Sequence, residues 1–94
     1  MEKILHLILY KKWFMEILEG KKKEEYRDKT PFWMNRLFEK DGSPKKYDYV
    51  MFRNGYRKDA PVMKVEFLGI EDRGKNLAIL LGKIVERERV TNND

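Results

Sequence analysis

Cysteine is absent from this chain, histidine occurs once and proline three times. Without cysteine there is no disulfide framework and no thiolate metal site, and a single histidine leaves no credible metal centre of any other kind. No glycine-rich phosphate loop and no Ser-His-Asp set can be assembled from the residues present. No cofactor is therefore expected. Long apolar runs are also missing. The longest, Leu7–Tyr10 and Leu77–Leu81, fall far short of the roughly 20 residues that a membrane-spanning helix needs. The stretch Ile4–Tyr10 is interrupted by His6 and runs into Lys11-Lys12 without a small-residue cleavage site, so it does not read as a signal peptide. The expectation is a cytoplasmic protein with no membrane contact.

What is present is charge. Of 94 residues, 21 are Lys or Arg and 16 are Asp or Glu. Residues 1–47 carry 12 basic and 8 acidic side chains, against 9 and 8 in residues 48–94, so most of the surplus lies in the first half. This balance leans toward a polyanionic partner such as RNA. The length accommodates one hydrophobic core, and therefore one domain.

Along the chain, residues 3–9 are apolar on both faces and predict a buried strand, with His6 as a core or rim histidine. Trp13, Phe14, Ile17 and Leu18 form one helical stripe, and Gly20 stands where a helix C-cap wants positive φ. Lys21–Asp28 follows as a charged extended segment. Thr30-Pro31 marks a second helix, with the stripe Trp33, Met34, Leu37 and Phe38. Further strands are predicted over Tyr47–Arg53, with a tight turn at Asn54-Gly55, over Val62–Ile70 and over Leu77–Val85. The fold class expected is α+β, a small closed or nearly closed β-barrel with two short helices, because closure removes the edges of the buried strands. Residues 1–86 form the domain, and 87–94 a polar C-terminal tail that frays.

The segment from Gly20 to Arg27 reads G-x-K-x-x-E-x-R, with Gly20, Lys22, Glu25 and Arg27 at the fixed places. It follows an amphipathic helix and precedes a strand. In this context it resembles the signature of the ASCH domain, of the PUA-like superfamily, and the likeness in element order extends from near residue 3 to near residue 85. The resemblance implies a five- or six-stranded PUA-like barrel whose cleft beside the first helix binds RNA or a nucleotide-like ligand. It also implies an alternative, since some relatives are acetylcytidine amidohydrolases and others are reported as ribonucleases. Lys22 then matches the catalytic lysine of the amidohydrolase branch. Glu25 stands where that branch has a hydroxyl residue, and no segment supplies the branch's inserted helix with its further glutamate. Glu66 or Glu71 replaces that group only if the fold brings one near.

The residues carry a reading of their own. On an extended strand Glu25 and Arg27 share a face, so the carboxylate can hold the guanidinium as a preset fork for phosphate or a base edge, while parity leaves the direction of Lys22 open. The candidate binding residues are Gly20, Lys22, Glu25 and Arg27, joined by Arg53, Asn54, Tyr56 and Arg57 of the turn and by Lys12 and Trp13 at the first helix. If the protein is an enzyme, Lys22 and Glu25 are the catalytic pair. At helical spacing Trp13 and Trp33 read as core, and Tyr26 as an inward strand anchor. A protein-interaction module is the third reading.

Overall fold

A computed structural model describes residues 1–89. Five strands and two helices follow in the order β1 (Ile4–Leu9), α1 (Lys11–Leu18), β2 (Glu24–Asp28), α2 (Pro31–Leu37), β3 (Tyr49–Asn54), β4 (Val62–Asp72) and β5 (Asn76–Glu88). The strands form one sheet in the order β1-β3-β4-β5-β2, curled into a half-barrel. β1 runs parallel to β3, and every other neighbouring pair is antiparallel. Register shifts between Lys64 and Gly69 interrupt the β4–β5 ladder, and such bulges bend the strands that carry them.

The helices begin and end for local reasons. The Thr30 hydroxyl accepts the Trp33 N–H at 3.3 Å, and Pro31 takes the first helical position, where no N–H is needed. At the other helix's end, Gly20 has φ of +79°. Its N–H reaches the Ile17 carbonyl at 3.1 Å and the Lys21 N–H reaches that of Glu16 at 2.9 Å, the paired bonds of a Schellman cap. The core lies in the concavity, where Leu5, Leu7 and Leu9 of β1 meet Phe14, Ile17 and Leu37 of the helices and Phe52, Met63 and Ile79 of the sheet.

Several expectations need correction. Five strands do not close: β1 and β2 remain edges, and among the described residues they do not pair with each other. β1 is buried on one face only, with His6 and Ile8 exposed on the other. The extended segment narrows to Glu24–Asp28, because the Schellman cap occupies the residues before it. Asn54-Gly55 is no two-residue hairpin; β3 and β4 are joined by Gly55–Pro61. β5 outruns its expected end at Val85, since Glu86, Arg87 and Glu88 stay in register with β4. Of the expected tail, residues 90–94 lie outside the described residues. No helix is long and apolar enough to cross a membrane.

Candidate functional site

Between the two edge strands lies a cleft of about 630 Å³, on the seam where a closed barrel would join. The end of β1 supplies Ile8, Leu9 and Tyr10, α1 supplies Trp13 and Glu16, and the motif supplies Lys21, Lys22, Glu25, Tyr26 and Arg27.

Strand alternation turns Glu25 and Arg27 inward, and Glu25 is only 3% exposed. Its two oxygens are separately engaged: Lys22 Nζ lies 2.6 Å from Oε1, and Arg27 Nη1 donates to Oε2 at 2.7 Å. Lys22 reaches this carboxylate because the Schellman cap folds the chain back, its own N–H joining that of Lys21 on the Glu16 carbonyl. The arrangement is two cations on one buried anion, net charge plus one. A carboxylate this deeply buried needs such partners, and each charge-assisted bond stabilises it by about 1.5–3 kcal/mol.

Aromatic rings complete the walls. Lys22 Nζ lies 4.3 Å from the centre of the Trp13 ring and 5.6 Å from that of Tyr26, and Lys12 Nζ lies 4.7 Å from the Trp13 ring. Arg27 stacks at 5.1 Å against Trp33. The contacts of Lys22, with a carboxylate and with ring faces, are those an ammonium makes. Arg27 Nη1 also donates to the Tyr26 carbonyl at 2.7 Å, on the open edge of β2. Arg36 caps the facing edge in the same manner, donating to the His6 carbonyl at 3.3 Å.

Outside this triad, Tyr26 turns outward, contrary to the expected anchor, and donates its hydroxyl to Glu24 at 2.7 Å. Giving that hydrogen bond raises the Tyr26 phenol above its ordinary range. The Glu24 carboxyl is held below its usual value, first by the Arg73 guanidinium at 2.7 Å and then by the Tyr26 hydroxyl.

Lys22, Glu25, Arg27 and Trp13 thus meet in one place, with Lys12 over the tryptophan. Trp13 is 38% exposed, a cleft wall rather than the expected core residue, whereas Trp33 packs against the core as expected. Gly20 acts through the cap and does not line the cleft. Arg53, Asn54, Tyr56 and Arg57 are not among its lining residues either. Their loop abuts the end of β1 through the Gly55 N–H on the Leu9 carbonyl at 3.2 Å, but the Arg53 guanidinium folds back on the Arg57 carbonyl and the Tyr56 ring stands in solvent. Neither candidate third carboxylate arrives: Glu66 accepts the Lys83 N–H at 2.8 Å beside another groove, and Glu71 pairs with Arg73 at 2.6 Å.

Sequence reasoning missed Tyr10, which is 82% exposed at the cleft mouth, and Glu16. The second was within reach, because Glu16 follows Trp13 by three places and so shares its helix face. Among the described residues no group of three or more His, Asp or Glu side chains is placed to hold a metal ion. Comparison with protein-family models, with curated proteins and with solved structures gives no match to this chain.

Proposed function

We propose that the chain is a PUA-like barrel of ASCH type, and that its cleft binds a nucleotide-like ligand or a nucleotide of single-stranded RNA. The observation that carries this reading is the buried Lys22–Glu25–Arg27 network facing a cleft with aromatic walls. Glu25 fixes both cations before any ligand arrives, so little side-chain freedom is lost when an anion binds. One unit of positive charge is left over for a phosphate or a base carbonyl, and the remaining Arg27 donors form a planar fork suited to either. Tyr10, Trp13 and Tyr26 offer rings on which a base can stack. The cavity falls within the range of about 300–1,000 Å³ usual for small-ligand sites.

Hydrolysis of an acylated nucleoside or of RNA is the second reading. Glu16 favours it, as a further carboxylate in the same cleft as Lys22 and Glu25.

The test is a titration of backbone amide resonances with cytidine monophosphate, acetylcytidine and a short single-stranded RNA. Binding here shifts Trp13, Lys22 and Glu25 to Arg27. Tyr10→Ala, at an exposed position, then weakens the ligand by about 1–3 kcal/mol if its ring stacks, roughly 5- to 150-fold. Product signals from acetylcytidine in the same tubes, lost in Glu16→Gln, mark the hydrolytic reading. Absence of shifts in these residues with every ligand overturns both.

A further inference from the structure

A second surface lies on the other side of Lys22. β2 pairs with β5 only as far as Glu24 opposite Leu80, followed by the Leu81 N–H on the Lys23 carbonyl at 3.0 Å. There the Schellman cap diverts the chain into α1, while β5 continues to Glu88. From Gly82 onward β5 has β4 on one side and, among the described residues, no strand on the other. Beyond Lys83, whose N–H goes to the Glu66 carboxylate, no strand pairs with the outer main chain of this edge among the described residues, and a groove of about 670 Å³ runs alongside.

The walls of this groove combine apolar surface with an excess of positive charge. Leu18, Leu68 and Ile84 line it, and Leu68 is 64% exposed although it stands in a strand. Lys23, Lys83 and Arg87 also line it, and none of the three has an ion-pair partner among the described residues. One carboxylate, Glu66, also lines the groove and accepts the Lys83 N–H; Glu86 borders a different hollow together with Lys64, and Glu88 lies 3.6 Å from Arg89.

We infer that this edge receives an extended acidic peptide segment of a partner protein, added as a strand beside β5. An unpaired edge recognises another main chain, and alternate side chains of the added strand supply the anchor for the groove. The cations select acidic flanks and repel a second copy of the same edge, which carries the same charges. The groove lining contains no aromatic ring to stack a base, which sets it apart from the cleft on the far side of Lys22 and disfavours single-stranded nucleic acid. Lys22 borders both surfaces, but the inference rests on Lys23, Lys83, Arg87 and the β5 edge, none of which lines the proposed nucleotide site, so either can fail alone.

The experiment uses the intact chain and the fluorescein-labelled peptide Glu-Asp-Leu-Thr-Val-Asp-Glu, read by anisotropy and by amide hydrogen exchange. The peptide is expected to bind and to slow exchange of outward amides between Ile84 and Glu88. Lys83→Gln with Arg87→Gln, both at exposed positions, should weaken it at least about tenfold. A version with N-methylated central amides, which keeps the charge but cannot pair, should not bind. Equal binding of that version would mean charge attraction without strand addition and overturns the inference. So does a heptameric oligouridylate that occupies the groove when the peptide does not, and so does failure of the peptide to bind at millimolar concentration.

Discussion

Glu25→Ala tests the central network most directly. The substitution removes a carboxylate that is 3% exposed and leaves Lys22 and Arg27, whose side chains are 14% and 16% exposed, facing each other without a counterion. Removing one member of a buried ion pair costs about 3–5 kcal/mol, chiefly because the survivors remain desolvated. Both cations border the cleft and can turn toward its water, so the lower end, about 3 kcal/mol, is expected. A domain of this size loses about 4–8 °C of Tm per kcal/mol, so the midpoint should fall by roughly 12–24 °C. Its whole stability should be about 5–14 kcal/mol, so the variant remains folded at room temperature. The triple variant Lys22→Met, Glu25→Met, Arg27→Met removes all three charges and should recover most of the loss, because no buried charge is then left alone. Urea melts of the three proteins at low and high salt are the assay, and the single-variant loss should change little with salt. A loss under about 1 kcal/mol, the worth of an exposed pair, would refute the reasoning. A triple variant no more stable than the single one would do so as well.

Gly82→Ala places a Cβ 2.7 Å from Glu66 Oε1 and 3.0 Å from Glu66 Cβ, and so displaces the carboxylate from the Lys83 N–H. The atom met first is the far end of a flexible side chain that can turn away, so the loss should be about 1 kcal/mol, the worth of the hydrogen bond, and an unchanged urea midpoint would contradict it. Acid sensitivity follows from three carboxylates, exposed Asp41 and Asp72 and half-buried Glu24. Glu24 is held low by Arg73, Asp41 by the Ser43 hydroxyl and N–H, and Asp72 by Lys29 and the Gly74 N–H. Because folding depresses their values, their contribution is present above the ordinary carboxylate pKa of about 4 and is lost as pH falls through the lower folded values. Stability should therefore hold from pH 7 to about 5 and fall only below about 4, less steeply in high salt. A decline that begins above pH 5 contradicts this assignment.

The local features of this fold were legible because they are local. Thr30-Pro31 and Gly20 specify caps through their own chemistry, and strand parity alone put Glu25 beside Arg27. Lys22 was not legible, since its direction depends on a turn whose bonds converge on the Glu16 carbonyl. Ile8 looked buried because periodicity reports which residues are apolar, not whether a second layer packs on the face they occupy. The same gap hid the open seam, which depends on where β2 lies relative to β1. Trp13 shares its stripe with Phe14 but sits at the margin, where one step around the helix separates core from cleft. Asn54-Gly55 has the composition of a hairpin, yet the strands it separates close only beyond Pro61.

The strand order also bears on the sequence of assembly. β3, β4 and β5 are consecutive antiparallel strands joined by short connections, and their pairing closes only small loops. Joining Ile4 to Tyr49, or Glu24 to Leu80, closes far longer ones. The meander therefore has the easier start, and the outer strands join a sheet that already exists. Every residue lining the cleft comes from the late-joining stretch between Ile8 and Arg27. On this order the pocket is expected to be completed late, together with the core to which Leu9, Phe14 and Ile17 of the same stretch belong. If the proposed ligand lodges between β1 and β2, it would tie these two ends of the sheet together, the clasp that the open half-barrel lacks.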